Sequence, residues 1–159
     1  MNLKHAILFA CTLISFTACK KETVTLIDKQ VRLELSAVFD VGTSDTTWYM
    51  PYYETYQLVK FNKHNYIYDR VKSIIFSPSM HTSDQNVSCI VDLYNVTDSV
   101  PIAGSQVVSN DISWHFYESQ DIKDALPDKE ITLSIRVRSQ KMGTFVSTGV
   151  RNFIFINRE

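Results

Sequence analysis

The chain has 159 residues, of which 45% are hydrophobic and 21% charged, and its formal net charge is −1 at pH 7. A near-neutral chain without a cluster of Lys or Arg is a poor candidate for binding nucleic acid. It also lacks a basic amphipathic helix of the kind that lies on a membrane surface, and its length is that of one ordinary domain.

Residues 1–18 have the features of an export signal. Lys4 and His5 give a short basic start, residues 6–18 form a weakly polar to apolar run, and Phe16-Thr17-Ala18-Cys19 is a small-residue cleavage site. As a helix, the run would rise about 20 Å, whereas the hydrocarbon core of a bilayer is about 30 Å thick. We therefore predict a cleaved signal at 1–18. A secretory signal without lipid and a retained helix are the alternatives.

The sequence Phe16-Thr17-Ala18-Cys19 resembles the lipobox of bacterial lipoproteins. The resemblance implies that Cys19 is lipidated and becomes the mature amino terminus, so that the membrane is one partner. In that family an Asp directly after the cysteine retains the protein at the inner membrane, and here the position holds Lys20. The resemblance therefore implies an outer-membrane lipoprotein of the cell envelope, facing the periplasm or the cell surface. Residues 19–24 would form the lipidated tether.

Cysteine usage excludes an intramolecular disulfide in the expected mature chain. Cys11 lies inside the signal, Cys19 would carry lipid, and Cys89 alone remains. Cys89 alternates with Val87 and Val91 in a predicted strand, so we interpret it as a small buried hydrophobic residue rather than a nucleophile. The mature domain must then be held together by its core.

From residue 25 onward the hydrophobic pattern has a period of two, which is typical of strands. Apolar residues recur at alternate positions in segments 31–39, 71–75, 87–93, 131–137 and 150–156. In the last segment Phe153 and Phe155 alternate with apolar neighbours, so both faces look buried and we place this strand centrally in a sheet. One short helix is predicted at 121–126, with Asp121 as its N-cap.

Short β-rich segments separated by turn signals predict a single all-β sandwich at residues 25–159. The carboxyl-terminal part resembles the small jelly-roll β-sandwich domains of bacterial surface lipoproteins and carbohydrate-binding modules, with an immunoglobulin-like sandwich as the alternative. That family has no fixed ligand motif, so no binding residue is carried over. The resemblance covers roughly residues 70–157 and is carried by segments 73–76, 91–97 and 101–105, by Trp114, Ser119 and Ile122, and by segments 126–127 and 133–138.

Catalytic signatures are missing from the sequence. His64, His81 and His115 are well separated, and there is no His-Glu-x-x-His, Cys-x-x-Cys, Gly-x-Ser-x-Gly or phosphate-binding glycine loop. Segment 81–84 contains the residue types of a hydrolytic triad, but neighbours in sequence rarely form one, so we interpret it as a solvated loop. We predict no catalytic residue, no metal site, no cofactor and no enzymatic activity.

An aromatic stretch is the best candidate for ligand binding. Trp48 and six of the eight tyrosines fall between positions 48 and 68. Tyr and Trp combine a flat apolar face with a polar edge, which suits them to stack on sugars or anchor a protein. The alternative is that these residues fill the core and its rim. The candidate ligand-binding residues are Trp48, Tyr49, Tyr52, Tyr53 and Tyr56.

A second aromatic segment, Trp114-His115-Phe116-Tyr117, allows the same two interpretations. Trp114 and Phe116 alternate, so they are expected to share one face of a strand.

Together these observations predict a non-catalytic lipoprotein, anchored to the envelope, that binds a glycan or a protein partner there. The alternative is a structural or assembly subunit of a surface fibre or envelope complex, whose strand edges pair with other chains.

Lipidation is testable by metabolic labelling with an alkyne analogue of palmitate. We expect label on the native chain and none on a Cys19→Ser variant, because a serine hydroxyl does not replace the cysteine thiol as lipid acceptor. Equal labelling of both chains, or a native chain that still begins at Met1, would contradict the prediction.

Overall fold

The computed structural model describes residues 29–36, 39–52, 56–66 and 68–159. The predicted signal, the tether with Cys19, and Tyr53 lie outside these residues. In the described ranges no helix combines the length and apolarity needed to cross a bilayer. The strands there are β1 Gln30–Ser36, β2 Val41–Thr43, β3 Gln57–Phe61, β4 Val71–Thr82, β5 Cys89–Asn95, β6 Val100–Pro101, β7 Val107–Ser109, β8 His115–Phe116, β9 Ile131–Ser139 and β10 Val146–Arg158, with 3-10 helices at Lys63–Tyr66 and Tyr68–Arg70.

These strands form two antiparallel sheets. The first sheet has the order β1-β10-β4-β8, with β2 also paired to β10, and the second has the order β3-β9-β5-β6, with β7 also paired to β5. Four pairs are nested in the sequence: β1 with β10, β3 with β9, β4 with β8, and β5 with β7. A long antiparallel ribbon folded over on itself produces this nesting, which is that of a jelly roll. The predicted jelly-roll sandwich is confirmed, and the immunoglobulin-like alternative is wrong.

The core lies between the inner faces of the two sheets, as in other sandwiches. The alternation in the sequence predicts these faces correctly in β5, β9 and β10, because every second residue of a strand points to the same side. In β4 the predicted face is wrong, since Ile75 is only partly buried while Ile74 and Phe76 are fully buried. The reason is a register shift opposite Val71 and Ser73, which changes the alternation at the start of the strand. Side chains that are at most 2% exposed come from four of the strands: Ile74, Phe76 and Met80 from β4, Val91 and Leu93 from β5, Ile131, Leu133, Ile135 and Val137 from β9, and Val146, Ile154 and Ile156 from β10.

Cys89 begins β5 and is a fully buried free thiol. Burial raises the pKa of this thiol to about 12, so it is protonated at neutral pH. Since the thiolate is the reactive form, Cys89 is an inert part of the core, in agreement with the interpretation of its alternation with Val87 and Val91.

β10 is the centre of the first sheet, with β1 paired along one edge and β4 along the other. Its inner face carries Ile154 and Ile156, which are fully buried, while Phe153 on the outer face is only 9% exposed. The ring of Phe116 covers Phe153 at 5.4 Å between centroids, and Phe155 lies 5.8 Å from it on the other side. The prediction of a central strand covered on both faces is confirmed.

Two sequence expectations are wrong at the ends of strands. β1 ends at Ser36, so Phe39 lies beyond it and is 71% exposed rather than buried. His81 and Thr82, expected in a solvated loop, are instead the last residues of β4, because Ser147 and Val146 of β10 pair with them.

The predicted helix at 121–126 is instead a turn. It contains one α-helical hydrogen bond, from Leu126 N to Ile122 O at 3.2 Å, and one of the 3-10 type, from Ala125 N to Ile122 O at 3.1 Å. Asp121 Oδ1 accepts a hydrogen bond from Lys123 N, as a cap would, but it also accepts one from Ile74 N at 2.9 Å. The carboxylate therefore ties this turn to β4, and the tertiary contact replaces helix propagation.

Leu93→Ala tests the core directly. It removes a fully buried side chain, so we expect the free energy of unfolding in urea to fall by about 2–5 kcal/mol. The control is Val108→Ala on the adjacent strand β7, where the side chain is 51% exposed, with an expected change of about 0.5 kcal/mol or less. Equal losses would show that Leu93 does not belong to a packed core.

Candidate binding surface

The segment carrying Trp48 extends the second sheet along the edge of β9. Tyr49 N donates to Val137 O at 2.8 Å, Val137 N donates to Tyr49 O at 2.9 Å, and Ser139 N donates to Asp45 O at 2.8 Å. The segment thus occupies the part of the β9 edge beyond the residues that pair with β3. Because side chains alternate along an extended chain, this pairing places Trp48 on the outer face of the sheet.

On that face the indole of Trp48 lies over two guanidinium groups. Arg136 Cζ is 4.6 Å and Arg138 Cζ is 5.0 Å from the ring centroid, and Arg136 Cζ is also 4.2 Å from the ring centroid of Tyr94. We call Trp48, Tyr94 and Arg136 the Trp48 stack. Each cation–π contact contributes about 0.5–2 kcal/mol, depending on its exposure. The stack therefore fixes the position of an indole that is itself only partly buried.

Arg136 forms a bidentate ion pair with Asp92, which lies directly opposite it on β5. Arg136 Nε donates to Asp92 Oδ1 at 3.0 Å and Nη2 donates to Oδ2 at 2.6 Å, and the two side chains are 14% and 6% exposed. Burial raises the pKa of Asp92, and the hydrogen bonds and charge of Arg136 oppose that rise. This bidentate pair fixes the position of the Arg136 guanidinium on which Trp48 and Tyr94 stack.

Arg138, two residues further along the same face, has a different environment. Its cross-strand neighbour is Ile90, not an acidic residue. In the described part of the chain Arg138 forms no ion pair, and its buried Nε has no hydrogen-bond partner. Its guanidinium is thus held by Trp48 on one side and still has donors to offer an acceptor from another molecule.

The residues of the predicted aromatic surface differ in their exposure to solvent. Trp48 is partly buried in its stack, while Tyr49 and Tyr52 are 46% and 93% exposed. Tyr56 is partly buried and packs against the core cluster. The accessible aromatic surface therefore runs from Trp48 to Tyr52, and Tyr53 lies outside the described residues.

Sequence reasoning missed the polar part of this surface. The alternation of β9 does place Arg136 and Arg138 on its outer face. Nothing in the sequence shows, however, that the segment around Trp48 pairs with β9, since this contact joins residues far apart in the chain. Within the described ranges, no group of three His, Cys, Asp or Glu side chains is placed to hold a metal ion.

Replacing Arg136 with Met tests the buried pair. The change leaves the Asp92 carboxylate buried without its counter-ion, so we expect a loss of about 3–5 kcal/mol in the free energy of unfolding at pH 7. Without Arg136 the pKa of Asp92 rises further above its unfolded value. The loss should therefore shrink as the pH falls toward about 4 and the carboxyl becomes protonated.

The control for this experiment is Arg151→Met, because the Arg151 side chain is 70% exposed and its Nε is 3.5 Å from Glu34 Oε1. Exposed ion pairs contribute about 0–1 kcal/mol, so little change is expected. A pH-independent loss in the Arg136 variant would contradict a role for the Asp92 charge.

Comparisons with known proteins add a resemblance in fold. No family model matches the sequence, and no curated protein is significantly similar to it. Among solved structures, the chain is similar to the VP2 subviral particle of infectious bursal disease virus, with 9% sequence identity and a TM-score of 0.47. The matched region covers 80% of this chain and 32% of the viral chain.

Proposed function

We propose that this protein is a non-catalytic, lipid-tethered jelly-roll domain of the bacterial cell envelope that binds an envelope protein through the surface from Trp48 to Tyr52. The tether is supported by the lipobox-like sequence ending at Cys19. Each buried acyl CH₂ contributes about 0.8 kcal/mol to membrane attachment, and stable anchoring requires more than one chain. The lipid would hold the domain at the membrane while its sheets remain free to engage a partner.

The observation that carries the proposal is that Trp48 stacks on Arg138, which forms no ion pair in the described part of the chain. The same segment exposes Tyr49 and Tyr52 next to this stack in the sequence. Trp, Tyr and Arg are the residue types that dominate the energetics of protein interfaces. The Trp48 stack also restrains its indole before a partner arrives, which lowers the entropy cost of binding.

The charges of Arg136 and Arg138 indicate which chemical groups the partner should carry. Arg136 is paired with Asp92, whereas Arg138 forms no ion pair in the described part of the chain, although its charge is near enough to lower the pKa of Asp92. An Asp or Glu of the partner would pair with the Arg138 guanidinium in a charge-assisted hydrogen bond, which is stronger than one between neutral groups. We therefore expect the partner to carry an acidic side chain next to an apolar surface that accepts Tyr52.

The alternative, an assembly subunit, is supported by one strand edge. Within the described ranges β1 pairs only with β10, so no described strand occupies the edge at which a strand of another chain would pair. The edge strand of the second sheet is protected, because β3 contains a register shift between Leu58 and Phe61 and its Lys60 has a φ of 59°. Irregular edges of this kind resist strand addition.

Site-specific photo-crosslinking in the producing cells tests the proposal. With a benzophenone amino acid at position 52, we expect a discrete crosslinked protein that is absent when the probe replaces Met142, whose side chain is 70% exposed on a turn. Arg138→Glu should abolish the crosslink, since it would repel the partner's acidic group.

Binding to the crosslinked partner should then weaken at least about 30-fold in Tyr52→Ala and change little in Met142→Ala. An Arg138→Glu chain that crosslinks as efficiently as the native one would contradict the proposal. Concentration-dependent self-association of the native chain, blocked by a proline in β1, would favour the assembly alternative.

A further inference from the structure

A groove lies on the outer face of the first sheet, on the side of the sandwich opposite to the Trp48 stack. It has a volume of about 340 Å³ and lies where β10 bulges between Thr148 and Asn152. Its size is at the lower end of the range for small-molecule sites, about 300–1,000 Å³. The groove is lined by Asp40, Ser79, Trp114, Phe116, Gly149 and Arg151, and we call it the Trp114 groove.

The indole of Trp114 lies flat on the sheet. Its ring stacks on His81 with 5.0 Å between centroids and 24° between planes. A Cβ at Gly149 would be 3.3 Å from Trp114 Cζ3, so the absent side chain of this glycine lets the indole approach the backbone. Trp114 is still 43% exposed, so one face of the ring is packed and the other is open to solvent.

Phe116 is the second aromatic residue that lines the groove. Its ring is 54% exposed and is supported from beneath by Phe153 at 5.4 Å. The sequence prediction that Trp114 and Phe116 share a face is confirmed, but that face is the outer one, where both rings remain accessible. Exposed aromatic rings that are supported from below on a rigid sheet mark a binding surface rather than a core.

The rim of the groove carries polar groups of both signs. Asp40 supplies a carboxylate, Arg151 a guanidinium on a side chain that is 70% exposed, and Ser79 a hydroxyl. A ligand that both donates and accepts hydrogen bonds matches this rim, whereas an anion would be repelled by Asp40 and an aliphatic ligand would leave the rim without partners.

Beneath Trp114 two buried polar atoms also lack partners. His81 and Ser147 face each other across β4 and β10, and neither His81 Nδ1 nor Ser147 Oγ has a hydrogen-bond partner in the described part of the chain. Ser147 is only 1% exposed. Neither residue lines the groove, so these two atoms lie below the packed face of the indole and are not counted among the partners of a ligand.

We propose that the Trp114 groove is a saccharide-binding site. The apolar C–H face of a pyranose ring stacks on Trp114 and Phe116, and its hydroxyl groups bond to Asp40 and Arg151 at the rim. A sugar is favoured over a protein partner because a standard protein interface buries about 800 Å² on each side, far more than this groove offers. The site is independent of the Trp48 surface, so one tethered chain can hold a glycan on one sheet and a protein on the other.

The test uses the full chain in a detergent without a sugar headgroup, applied to an array of neutral oligosaccharides that includes cellohexaose, chitohexaose, maltohexaose and xylohexaose. We expect saturable binding to at least one of these structural classes. Trp114→Ala should abolish it and Trp114→Phe should retain part of it, because a benzene ring still offers a flat face. Met142→Ala is the control and should bind normally, because the Met142 side chain is exposed on a turn and does not line the groove.

Asp40→Asn provides a second measurement that does not depend on core packing, because Asp40 is exposed. Loss of a charged acceptor should weaken binding about tenfold or more at an unchanged melting temperature. Gly149→Ala should also weaken binding, since its Cβ would displace the indole. Absence of saturable binding across the array, or binding that is unchanged in both Trp114→Ala and Asp40→Asn, would overturn the proposal.

Discussion

Burial of alternating apolar side chains between two sheets is the constraint on which this structure depends. The one cysteine among the described residues, Cys89, is a free thiol in the core, so no disulfide holds those residues together. The inner faces of β4, β5, β9 and β10 supply most of the fully buried side chains. A register slip of one residue in any of these strands would turn its apolar set toward solvent, so core burial also fixes the register that positions both outer surfaces.

The two outer faces use aromatic residues in different ways. On the second sheet, Trp48 covers two arginines and is held by their charges. On the first sheet, Trp114 stacks on the ring of His81, and the absence of a side chain at Gly149 leaves room for the indole. The first arrangement leaves a guanidinium available beside an indole, and the second leaves an indole face available beside mixed polar groups. The two proposals assign these surfaces to different kinds of ligand, a protein on the second sheet and a saccharide on the first.

Arg136 and Arg138 show how the residue directly opposite on the adjacent strand determines the interactions of a side chain. Both point outward from β9 and both contact Trp48. Arg136 faces Asp92 across the sheet and becomes part of a buried bidentate pair, whereas Arg138 faces Ile90 and keeps its hydrogen-bond donors unpaired. Arg136 therefore contributes to stability, and Arg138 is the residue that the proposal assigns to a partner.

The sequence by itself determined the positions of five strands, the buried faces of β5, β9 and β10 and the central place of β10, because a period of two in hydrophobicity is a local signal that survives in the fold. It also predicted the jelly-roll class and the candidate aromatic segments. It did not determine the buried face of β4, where a register shift changes the alternation. The prediction of a helix at 121–126 was wrong, because the Asp121 carboxylate accepts a hydrogen bond from Ile74 N of β4 and this tertiary contact replaces helix formation. The prediction that Phe39 is buried was also wrong, because β1 ends before it. Only the tertiary structure decided which aromatic residues are accessible, since Tyr56 packs against the core while Tyr52 is exposed. It alone brought Trp48 over β9 and Trp114 over His81, because those contacts join segments that are distant along the chain and leave no local pattern to read.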